Sequence, residues 1–260
     1  MKKRVSIIFL LAMILVTACS CPVCAADYDD YFWYDDYDDY DDEECEHDWE
    51  TEVIQKATPF HRGIIEKTCY DCDETKIIYK PKKKMTAREK KSVKTVRDFF
   101  KAAKKYDLEK MQKYLVNGSK KLADRDSCIG EISRKYNKKY LKCKVTDVRT
   151  KGSKVYVEVD VDYPDGMKAF IKAFELMEAD VLQHIWTNPN YTIPAESVVK
   201  YIRQSVSRYG VKTSNIIKEF KVAKIKGKYK IEGFDRKKEN INILNCNYNG
   251  AWENYQGRYY

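Results

Sequence analysis

Histidine is scarce in this chain, three in 260 residues, and after residue 61 the only one is His184. No cysteine, serine or acid beside it in the sequence completes a catalytic set, so a structural role is the expectation there. Apolar runs are equally short. The longest uncharged one, Val5 to Val16, falls well below the roughly 20 residues that a membrane-spanning helix needs. No helix-turn-helix, RNP-type motif or cluster of basic and aromatic residues is present, which argues against nucleic-acid readout. Basic side chains are missing altogether from residues 27–50, where fourteen acidic ones stand.

What is present begins with Lys2, Lys3 and Arg4, then the apolar stretch, then small residues, the layout of a secretory signal. Two cleavage readings compete. Val-Cys-Ala at 23–25 suits an ordinary signal peptidase, giving a signal over 1–25. Val16-Thr17-Ala18-Cys19 resembles the bacterial lipobox and would make Cys19 the lipidated residue. Either way the mature chain is expected outside the cytoplasm, secreted or lipid-anchored at a bacterial surface, with no transmembrane segment.

In residues 26–44 tyrosines 28, 31, 34, 37 and 40 recur every third position, which matches neither a helix nor a strand. Such dense like charge without aliphatic residues reads as an extended, solvated tether. A spacer and an arm that collects cations or lies on a basic surface both fit it. Residues 45–82 follow as a small β unit, with short β-type runs at Val53-Ile54, Ile64-Ile65 and Ile77 to Tyr79. Fewer than forty residues cannot bury enough apolar surface to fold unaided, so a staple is required.

Cys45 and His47 in "CEHDWE" and Cys69 and Cys72 in "CYDC" provide one. Three thiolates and one imidazole are a tetrahedral zinc set with no open position, which makes the expected zinc structural. His61 is the spare for the fourth place. Disulfides and a redox Cys-x2-Cys are the rivals, the second weakened because "DETK" begins no apolar helix to lower a thiol pKa. The stretch also resembles the zinc-ribbon-like repeats of clostridial surface proteins in its Cys-x-His-x-Trp start, its "AT", Gly63 and Cys-x2-Cys. It departs from them at Pro59 and Asp73, where Cys and Gly are usual.

From Thr86 the pattern turns helical. Thr86 to Glu89 reads as a capping box before Val93, Val96, Phe100 and Ala103, Asp107 caps a second helix, and a third is expected to cover part of 120–136. Two strands flank "TKGS", the second with Val155, Val157, Val159 and Val161 alternating with polar residues. Glu158, Asp160 and Asp162 are therefore expected on the opposite face. Helices over 167–209 and strands near 215–225 and 228–234 complete the unit, with 247–260 read as a tail or an extra edge strand. The fold class is α+β. "TVRDFFKAAKKYDLEKMQKYL" and "EFKVAKIKGKYKIEGF" resemble the nuclear transport factor 2-like (cystatin-like) superfamily over 86–246, with 167–209 as a helical insertion. That resemblance implies a curved antiparallel sheet packed with helices around a conical pocket, catalytic in some members and a binding site in many.

Two functions stay open: an envelope protein that binds a small ligand, peptide or protein, and an enzyme using the conical pocket. His184 and its neighbour Trp186 are the pocket candidates. Cys128, Cys143 and Cys246 read either as one disulfide plus a thiol or as three small buried residues. Residues 51–260 carry 46 basic and 26 acidic side chains, a net of +20, which favours anionic wall polymers or lipid headgroups as nonspecific partners.

Overall fold

The computed structural model describes residues 45–118 and 122–258. The signal, Cys19 and the tether lie outside these residues. Two antiparallel sheets and seven helices make up the described part, an α+β architecture as expected. The first sheet is a meander of β1 (Trp49–Gln55), β2 (Gly63–Cys69) and β3 (Thr75–Lys80) in sequence order. Its register pairs Trp49 with Cys69 and Thr68 with Thr75, which brings the start of β1, the end of β2 and the β2–β3 turn to one edge. At the other end a Cβ on Gly63 would stand 3.0 Å from both the Ala57 nitrogen and the Lys80 Cβ, so only glycine lets the three segments close. Val53, Ile54, Ile77 and Tyr79 remain exposed, as expected of a sheet too small to have a core of its own.

The second sheet has β4 (Lys142–Lys151), β5 (Lys154–Asp165), β6 (Lys212–Ile225) and β7 (Lys228–Ile231) side by side in that order. The four β5 valines are fully buried, and the residues between them are half-buried on the other face, so the alternation was a true register signal. The acids on that face are held by neighbours: Thr146 donates to Glu158 at 2.8 Å, and Asn215 donates to Asp160 and Asp162. Helix α1 (Ala87–Lys104) starts at the reciprocal Thr86–Glu89 box and packs Val96, Phe99, Phe100 and Ala103 on the valines. Phe99 and Phe100 meet Phe234 and Phe220 edge to face, with centroids 5.0 and 5.7 Å apart. The valine face is thus packed with aromatic rings.

Asp107 caps α2 (Leu108–Tyr114) and Ser127 caps α3 (Cys128–Tyr140), which covers part of 120–136 as expected and runs on to Tyr140. Helices α4 (Met167–His184) and α5 (Ala195–Tyr209) lie within 167–209, the stretch expected to be helical. Strand β7 ends at Ile231, after which Gly233 takes a left-handed conformation into a short 3-10 turn, followed by α6 (Lys238–Leu244). In place of the expected tail or extra edge strand from 247, α7 (Tyr248–Gln256) buries Ala251 and Tyr255. Phe174 of α4 sits among Tyr248, Trp252 and Tyr255, with ring centroids 5.0–5.7 Å away. Phe174, Tyr248 and Tyr255, with Phe170, Ile202 and Val206, form a second core beside the valine core, while Trp252 stays exposed.

Candidate metal centre

The edge where β1 begins and β2 ends carries the chemistry. One donor atom from each of Cys45, His47, Cys69 and Cys72 lies within 4.8 Å of the others. Tetrahedral zinc with bonds of about 2.3 Å to sulfur and 2.0–2.1 Å to nitrogen would set its ligands roughly 3.5–3.8 Å apart, so the set fits with small adjustments. Backbone pairing builds the pocket: the Cys69 amide donates to the Glu74 carbonyl at 2.8 Å and the Tyr70 amide to the Asp48 carbonyl at 2.8 Å, folding "CYDC" over the start of β1. Asp73, standing where the resembling repeats have glycine, takes a left-handed φ of 56°, and His47 a φ of 36°. Aspartate tolerates this region better than most residues, so the tight turn forms without glycine.

His47 offers Nδ1 to the cluster, 3.3 Å from the Cys72 sulfur, and turns Nε2 to the Glu74 carboxylate at 3.1 Å. Lys76 links to the same carboxylate at 3.3 Å and lies 4.3 Å over the Trp49 ring, which in turn rests 4.9 Å from His47. Burial pushes the Cys69 thiol up, but the backbone N–H of Cys72, His47, the Asp71 N–H and Cys72 outweigh it and bring the thiol down to about 6. A site that favours thiolate favours a cationic ligand. Sequence reasoning missed Glu74, although its place two residues after Cys72 was the available signal. The spare candidate His61 is elsewhere: its Nε2 meets the Thr146 carbonyl of β4 at 3.0 Å.

His184 ends α4, and its Nδ1 lies 3.0 Å from the Asp180 carboxylate and 2.8 Å from the Asp180 carbonyl. Tyr201 and Tyr191 also donate to Asp180, at 3.0 and 3.3 Å, and Tyr191 stacks on the imidazole. Asp180 was overlooked in the sequence, though the i, i+4 spacing on a helix pointed to it. Trp186 is 88% exposed. Neither His184 nor Trp186 lines any of five surface cavities of about 340–600 Å³ on the larger sheet and its helices. Cys246 is buried and Cys128 and Cys143 are half-buried; none of the three forms a disulfide among the described residues, and burial pushes the thiols of Cys143 and Cys246 up to about 12.

No family profile matches the chain, and no curated protein matches it. Among solved structures, the crystal structure of a Bacillus subtilis protein described as a lipoprotein matches at 14% identity, over 70% of this chain and 67% of that one, with a TM-score of 0.30. A superposition that loose carries no argument about function. No helix among the described residues is long and apolar enough to cross a membrane.

Proposed function

We propose that the chain is an exported binding protein of the bacterial cell envelope, in which a zinc ion at Cys45, His47, Cys69 and Cys72 holds residues 45–82 in shape and the α+β domain binds a partner rather than catalysing a reaction. The observation that carries the metal reading is the convergence of four protein donors on one point. Four protein ligands complete a tetrahedron and leave no place for a reactive water, so the ion would supply folding energy, about 10–16 kcal/mol of apparent binding in comparable small modules. Export rests on the signal-like residues 1–25. A non-catalytic domain is supported by the valine face packed with phenylalanine and by β5 acids engaged with threonine and asparagine.

The Asp180–His184 pair favours the enzyme reading to one extent only: it is an oriented imidazole. It lies outside the cavities described, and the hydroxyls around it are engaged, Tyr191 and Tyr201 donating to Asp180 and Thr187 to the His184 carbonyl. To test the proposal, the protein is purified reduced from its native host, weighed intact and analysed for metal. The expected results are a start at Ala26 or a lipidated Cys19, and one zinc per chain that Cys69→Ser and His47→Ala both abolish. Retained Met1, or a folded 45–82 module without metal, would overturn the corresponding half.

A further inference from the structure

The net positive charge of residues 51–260 is not spread evenly. Between α1, α2 and the β6–β7 hairpin lies a trough of about 600 Å³ whose rim carries Lys91, Lys94, Lys113, Lys224, Lys228 and Lys230. Its single carboxylate, Asp98, is neutralised by Lys94 at 2.5 Å and Lys101 at 3.6 Å. The other five lysines of the trough have no carboxylate partner among the described residues. The trough does not end there. A second hollow of about 360 Å³ shares Lys94 and Asp98 with it and adds Lys90, Arg97 and Lys101. A third, of about 340 Å³, shares Arg97 and Lys101 with the second and adds Lys104 and Lys142. Eleven cations therefore line one continuous track over α1 against one engaged acid, while residues 51–260 as a whole hold 46 basic to 26 acidic.

We propose that this track binds an extended, flexible polyanion, a phosphodiester-linked polyol chain, laid across α1 from the β6–β7 hairpin to the start of β4. A run of three joined hollows suits a chain rather than a single small ion. Ten of the eleven cations are lysines, compact point charges that meet separate anions along a backbone and lack the planar fork with which arginine grips one anion in two places. A membrane surface suits the track less well, because none of the exposed large apolar side chains lies on it to enter the acyl region. Single-stranded nucleic acid would need free aromatic platforms. Tyr114 and Tyr229 in the trough are half-buried and packed against the valine core, so their faces are already used.

The choice of polymer rests on the envelope reading above, and the two can fail separately, since the track's affinity is measurable wherever the protein resides. The experiment titrates the full-length zinc-loaded protein with a fluorescent poly(glycerol phosphate) oligomer over a range of salt. A triple variant Lys91→Gln, Lys113→Gln, Lys228→Gln is compared with a control triple, Lys168→Gln, Lys200→Gln, Lys212→Gln, of exposed lysines off the track. The track variant is expected to lose at least about tenfold in affinity at low salt and about 2 from the slope of log K against log salt, with the control nearly unchanged. Unaltered zinc content and melting show that the variants remain folded. Equal losses in both triples would reduce the attraction to overall charge and overturn the proposal. Tighter binding to oligo(dT) of matched phosphate count, or to phosphatidylglycerol vesicles, would overturn the assignment of ligand class.

Discussion

His47 meets Cys72 with one ring nitrogen and Glu74 with the other, so the carboxylate decides which nitrogen is left to face the cysteines. A carboxylate that takes the far N–H of a ligating imidazole fixes its tautomer and raises its basicity, and losing such a partner costs about 10–100-fold in metal affinity. Glu74→Ala is expected to weaken zinc by that factor in competition with a chromophoric chelator, and Glu74→Gln, which keeps an acceptor oxygen, by less. Equal affinity in all three proteins would show that Glu74 only pairs with Lys76 on the surface. Cys246 allows a test of the larger unit. Its thiol is raised to about 12 by burial, against 9.0 for an ordinary cysteine, so above pH 9 the unfolded chain gives up a proton that the folded chain retains. Protons bound by the folded state alone make stability fall as pH rises. Denaturant midpoints should therefore drop between pH 9 and pH 11, and the drop should be smaller in Cys246→Ala; an identical pH dependence would mean that other groups govern it.

At the scale of elements, the legible parts of the chain were those with local chemistry of their own. The capping box at Thr86 and Glu89, the Asp107 cap and the alternating valines of β5 each announce an element, and each is there. Helix α7 gave no such signal: Asn247 enters it at a left-handed φ of 62° without a side-chain cap, and it packs through Ala251 and Tyr255. The filled valine face was likewise beyond reach, since it depends on Phe99, Phe220 and Phe234 meeting across three elements. At the candidate metal centre the four clustered side chains were readable from spacing, whereas the outward turn of His61 toward Thr146 depends on the tertiary fold. The boundary between the small sheet and the larger unit can be tested in the same terms. Phe60 packs on the valine core and His61 bonds to β4, so the small sheet touches the larger unit. A chain beginning at Met85 is expected to unfold cooperatively, losing roughly 1–3 kcal/mol with the Phe60 contact. Non-cooperative melting, restored only when 45–82 is returned, would show one indivisible core.

For the molecule as a whole, the proposed zinc site predicts that the two sheets depend on different sources of stability. The larger sheet is held by two apolar cores that owe nothing to metal, one around the β5 valines and one around Phe170 and Phe174. The small sheet leaves Val53, Ile54, Ile77 and Tyr79 exposed, and its own burial is concentrated at Gly63 and Cys69, the two ends of β2. A meander with that little buried surface is not expected to outweigh the entropy of ordering its residues, about 1–2 kcal/mol each for the backbone alone. Removing the ion should therefore melt one part and spare the other. On adding a strong chelator to the reduced zinc-loaded protein, amide exchange across 49–80 is expected to become fast at once, while exchange across α1 and β5 stays slow. The main thermal transition should shift by only a few degrees, corresponding to the lost Phe60 contact. Returning zinc, but not magnesium, should restore protection, because thiolate and imidazole donors select against a hard cation. Slow exchange persisting across 49–80 in the metal-free chain would defeat the structural-zinc reading, and simultaneous collapse of α1 and β5 would show that the larger unit cannot stand without the module.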